Sequence, residues 1–102
     1  MPILTGQIPF NSFEGSGPRT ATQDVVFPAA VTQAVAILSG FNAAFTPNDD
    51  HHLGNLEVRV SAAIDPLVAQ RVTVTATFGL RDWSNEWDDK YQGTVDFAVF
   101  AT

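Results

Sequence analysis

The chain has 102 residues, 45% of them hydrophobic, a net charge of −6 and no cysteine. This length and composition suit one domain that buries roughly 60–70% of its unfolded surface without staples, and the missing thiols exclude a disulfide framework, a cysteine nucleophile and a thiolate zinc site. Eleven acidic against five basic residues repel phosphate backbones and anionic membranes at long range, so nucleic acid is not an expected partner.

Residues 1–23 carry Gly6, Pro9, Gly15, Gly17 and Pro18, with isolated apolar Ile8, Phe10 and Phe13 between them. The stretch reads as an irregular N-terminal arm with room for one short strand. Its rings make it too apolar for a disordered tail, so it is expected to pack on the domain or on a neighbouring subunit. The start shows no basic segment followed by an apolar one, and no later apolar run approaches about 18 residues. The expectation is a soluble protein, cytoplasmic or exported by an unconventional route, without membrane insertion.

Residues 24–102 form the expected domain. Asp24 to Phe27 reads as a short strand stopped by Pro28, which has no N–H for a ladder. Val31 to Phe41 is ambiguous: Val31, Val35 and Leu38 have helical spacing with Gly40 placed as a C-cap, whereas Val35-Ala36-Ile37-Leu38 also reads as a doubly buried strand. A strand is expected because the neighbouring segments are β and one lone helix would have to cover a sheet face by itself. Asn42 to Asn55 reads as a long polar connection.

Leu56, Val58, Val60, Ala62 and Ile64 then alternate with Glu57, Arg59, Ser61, Ala63 and Asp65, a half-buried strand ending at Pro66. After a turn, Val72, Val74, Ala76, Phe78 and Leu80 alternate with Arg71, Thr73, Thr75, Thr77 and Arg81. The last strand places Val95, Phe97, Val99 and Ala101 on one side, with Ala98 and Phe100 on an unusually apolar outer side that oligomerisation or the N-terminal arm would cover. Short alternating strands without a good helix indicate an all-β chain, a small antiparallel sandwich or barrel.

In this order, Val25-Val26-Phe27-Pro28-Ala29-Ala30-Val31, Val35 to Phe41, Leu56-Glu57-Val58-Arg59-Val60, Val72 to Leu80 and Val95 to Ala101 resemble the H-type lectin domain over about residues 24–102. The resemblance implies a small antiparallel β-sandwich assembling as a trimer or a pair of trimers. It also implies glycan binding, typically of N-acetylgalactosamine, in shallow sites near subunit boundaries. By position, the family's acidic residue, arginine and tryptophan at the sugar correspond to Asp49 or Asp50, Arg59, and Trp83 or Trp87. The chain departs from the family pattern in a longer, more acidic loop from Asp82 to Gly93 and in Asn48 to Gly54.

Residues 81–91 gather both tryptophans, the only tyrosine and four acids. Trp83, Trp87 and Tyr91 can cap the sheet end, or a ring can stack on the apolar face of a sugar while carboxylates accept its hydroxyl protons. Asp82, Asn85, Glu86, Asp88 and Asp89 offer enough oxygens for a Ca²⁺ ion, though without EF-hand spacing; solvated turn residues are the competing reading. His51 and His52 are adjacent, so on a strand their rings diverge, and either could serve a partial site with Asp49 or Asp50 or simply face solvent. Arg59 and Arg71 are expected as cross-strand partners of Glu57 or Asp96. No nucleophile elbow or phosphate loop is present, and a pair such as Asp50 with Asp82 would need a cleft that a chain this short seldom builds. The sequence therefore points to a non-enzymatic, oligomeric carbohydrate-binding module, with Ca²⁺ as an optional rather than required ligand. The rival is a self-assembling subunit of a fibre, shell or appendage.

Overall fold

The computed structural model describes residues 2–45, 52–83 and 90–102. Six strands occupy the described residues: β1 (Ile3–Glu14), β2 (Arg19–Val26), β3 (Ala34–Phe45), β4 (Leu53–Ile64), β5 (Arg71–Asp82) and β6 (Tyr91–Ala101). They form two antiparallel three-stranded sheets, ordered β1-β6-β3 and β2-β5-β4. The expected all-β sandwich is the observed one. Among the described residues no helix is long and apolar enough to cross a membrane.

The core is built from the alternation already visible in the two central strands. Val72, Val74, Ala76, Phe78 and Leu80 of β5 face Val95, Phe97, Val99 and Ala101 of β6, all buried. Branched and aromatic side chains suit this role because a pleated strand buries every second residue, and a two-layer sandwich needs two such faces. Each central strand is flanked on both sides, whereas β1, β2, β3 and β4 are all edges.

Residues 3–14 and 19–26 correct the expectation of an irregular arm: they are strands of the two sheets, aligned with β6 from Ile3↔Phe100 to Phe10↔Gly93 and with β5 from Arg19↔Phe78 to Val26↔Arg71. Leu4, Gly6, Ile8 and Phe10 point inward, and Gly6 sits there because a Cβ would strike the Phe97 ring. Pro9 is tolerated because β1 is an edge. The segment therefore completes the core instead of covering the outer face of β6. The ambiguous segment is a strand from Ala34 onward, while Val31 packs into the core from the preceding connection. The expected polar connection is shorter at both ends, since β3 runs to Phe45 and β4 starts at Leu53.

The molecule is elongated, 48 × 21 × 19 Å, and its two ends differ. At one end the β4–β5 turn is held by Asp65, which accepts from the Leu67 amide at 2.8 Å and pairs with Arg71 at 3.2 Å. These contacts, the Leu67 amide foremost, hold the Asp65 carboxyl below its usual value against some desolvation. Beside it, Thr32 and Gln33 bond backbone-to-backbone with Thr102. The opposite end is where β5 finishes and β6 begins.

Candidate functional site

Tyr91 opens β6 fully buried, its ring edge-on to Phe78 at 5.4 Å, and Phe78 in turn meets Phe10 at 5.2 Å. The phenol donates to the Ser16 carbonyl at 2.6 Å, with the Phe78 carbonyl 3.2 Å away. Arg19 lies over both neighbouring rings, its guanidinium 4.6 Å from the Tyr91 centroid and 5.3 Å from that of Phe10. It donates to the Ser12 and Phe10 carbonyls and to Glu14, and only 9% of its side chain is exposed. Burial pushes the Tyr91 phenol above its ordinary value, although the Arg19 charge pulls the other way. Gly93 closes the platform: a Cβ there would enter the Asn42 carbonyl oxygen and approach the Phe78 ring within 2.7 Å. This cluster is a structural cap. Arg19 was not among the residues singled out by sequence, because its role depends on Phe10 and Tyr91 converging from different strands.

Trp83, at the other side of the same loop, stands in contrast with 70% of its surface exposed. Its backbone amide donates to the His52 carbonyl at 3.0 Å, and Leu53 lies opposite Asp82 in the β4–β5 ladder. Gly54 makes this approach feasible within a bulge, because any Cβ would collide with the Asp82 carbonyl. Thus Trp83, Asp82, His52 and the exposed Leu53 share one end of the β2-β5-β4 sheet. An exposed indole next to a carboxylate-bearing residue can offer a ligand an apolar platform and a hydrogen-bond acceptor together.

Arg59 does not join them. It sits opposite Thr77, six residues along β4 from Leu53, which is roughly 20 Å of extended chain. Its side chain is 74% exposed and pairs with Glu57 at 3.2 Å on its own strand, so the expected cross-strand pairing is replaced by an i, i+2 contact along one face. Arg71 likewise pairs with Asp65 across the turn, and Asp96 accepts from the Gln7 amide at 2.8 Å. The remaining sequence-predicted residues, Asp49, Asp50, His51, Asn85, Glu86, Trp87, Asp88 and Asp89, lie outside the described residues. Of the five expected Ca²⁺ ligands only Asp82 is described, and among the described residues no three metal-ligating side chains converge.

A pocket of about 100 Å³ lies at the opposite end, lined by Gln33, Ala34, Val35, Phe100, Ala101 and Thr102. It is well below the roughly 300–1,000 Å³ of small-molecule clefts. Comparison with protein-family models, with curated proteins and with solved structures returns no match. The fold defines the class, a small antiparallel β-sandwich, and the likeness to H-type lectins rests on the sequence alone.

Proposed function

We propose that this chain is a non-enzymatic carbohydrate-binding module of lectin type, working as an oligomer and taking N-acetylgalactosamine-type glycans. The observation that carries the reading is Trp83, a tryptophan left 70% exposed while its backbone is tied to His52. An exposed indole offers a flat apolar face, and the apolar C–H face of a sugar is a matching surface. Asp82, together with Glu86, Asp88 and Asp89 that follow Trp83 in the sequence, would supply acceptors for sugar hydroxyls, with Ca²⁺ as an optional bridge. A glycan-array screen with and without Ca²⁺, on the natural protein and Trp83→Ala, tests this. Binding that disappears in the variant supports the reading, and no binding to any glycan ends it.

The second reading, a self-assembling structural subunit without a small ligand, is favoured by one observation. Ile3, Val35, Ile37 and Phe100 lie side by side on the outer face of the β1-β6-β3 sheet, at the end opposite Trp83, and all but Phe100 are well exposed.

A further inference from the structure

The four edge strands are not equally protected against pairing with another chain. An open edge exposes a row of backbone donors and acceptors, and soluble proteins blunt it with charge, proline, shortness or bulges. β1 carries Pro9, Glu14 and an irregularity between Phe10 and Glu14. β2 is only eight residues long and carries Arg19 and Asp24. β4 carries Glu57, Arg59 and the Gly54 bulge.

β3 has none of the charge and none of the proline. Its sequence, Ala34-Val35-Ala36-Ile37-Leu38-Ser39-Gly40-Phe41-Asn42-Ala43-Ala44-Phe45, holds no ionisable residue over twelve positions, and its one irregularity lies between Leu38 and Gly40 on the side of β6. It is also apolar on both faces. Val35 and Ile37 stand outward, Leu38 and Phe41 inward, yet all four remain between 37% and 57% exposed because the sandwich is open along this side. Leu56, facing them from β4, is exposed as well.

We infer that β3 is a docking edge for a second copy of this chain, paired antiparallel with its own counterpart about a twofold axis so that the two β1-β6-β3 sheets become one six-stranded sheet. Charge selects a second copy. A chain of net charge −6 repels itself over most of its surface, but a twofold at β3 sets twelve uncharged residues against the same twelve. Size agrees. Twelve extended residues span about 40 Å, so a β3–β3 ladder can run along most of the 48 Å long axis of the molecule. The inference specifies the partner surface of the oligomer proposed above; β3 reaches the end that carries Trp83 only at Phe45, and Asp82 and Leu53 belong to the other sheet. Loss of sugar binding alone would leave it standing, and loss of association alone would leave the sugar site standing.

The test is light scattering and sedimentation over a dilution series from millimolar to micromolar, on the natural protein, Ile37→Lys and Thr5→Lys. Thr5, Ala98 and Ile37 form one row across the sheet, so Thr5→Lys places the same charge on the opposite edge. The expected result is twice the 11.0 kDa chain mass, with association weakened at least roughly tenfold in Ile37→Lys and unchanged in Thr5→Lys. A monomer at millimolar concentration, a trimer without a twofold, or equal responses of the two variants would overturn it. Hydrogen exchange on the natural protein covers the case of a variant that does not fold. Protection of the Val35–Leu38 amides that rises with concentration supports the inference, and protection independent of concentration overturns it.

Discussion

Tyr91 and Trp83 border the same loop and sit at the same end of the sandwich, yet one is fully buried and the other is 70% exposed. The difference lies in what each strand offers. Tyr91 is an inward position of β6, facing Phe78 and covered by Arg19, so its ring has partners on several sides. Trp83 follows the last residue of β5, where the ladder to β4 is ending and a single backbone bond to His52 fixes the chain. Density of aromatic residues in a sequence therefore does not distinguish a cap from a platform; strand parity and the end of the ladder do.

This contrast can be broken or sharpened by substitution. The largest effect is expected for Tyr91→Ala, which should lower unfolding free energy by about 3–5 kcal/mol in urea denaturation, since it removes a fully buried ring and its partners' packing. A loss below about 1 kcal/mol would mean that Tyr91 is no more structural than Trp83. Gly93→Ala should follow at about 2–4 kcal/mol, because its methyl meets the Asn42 carbonyl and the Phe78 ring, neither of which has room to yield. Calorimetry would read this as a drop in Tm.

Tyr91→Phe should cost about 1–2 kcal/mol, the hydroxyl's bond to Ser16 being lost while the ring remains. It also carries a pH signature. Because burial raises the phenol's pKa in the folded chain above its ordinary 10.0, the folded state holds that proton more tightly than the unfolded one. Its stabilising effect is complete below pH 10 and fades as pH rises through the folded value, so the natural protein should lose stability there. Tyr91→Phe should lack that alkaline component, measured by denaturation across the range. Trp83→Ala should be the mildest, within about 0.5 kcal/mol of the natural stability, while abolishing glycan capture. A stability loss matching that of Tyr91→Ala would make Trp83 a second cap.

The strands with uninterrupted alternation, β4, β5 and β6, could be read from the sequence with their inward residues. β1 could not, because Gly6 occupies an inward position to admit the Phe97 ring and Pro9 an outward one, breaking the hydrophobic signal at both parities. β2 is legible only from Asp24 to Phe27, since its earlier residues Arg19 to Thr22 include no large apolar side chain and gain their place from pairing with β5. At the candidate site, the approach of Trp83 to His52 was foreseeable from two loops flanking adjacent strands. The separation of Arg59 from Trp83 was not, because it depends on register along β4.

The strand order has a consequence for how the molecule reaches this state. In the β1-β6-β3 sheet the middle strand is β6, the last of the described strands in the chain, so β1 and β3 have no sheet partner until residues 91–101 are available. Half of the sandwich thus waits on contacts of the greatest sequence separation, a topology associated with folding in milliseconds to seconds rather than microseconds. During that interval Ile8, Phe10 and the uncharged β3 face water together. The period before β6 docks is when the chain is most exposed to capture by another unfinished copy.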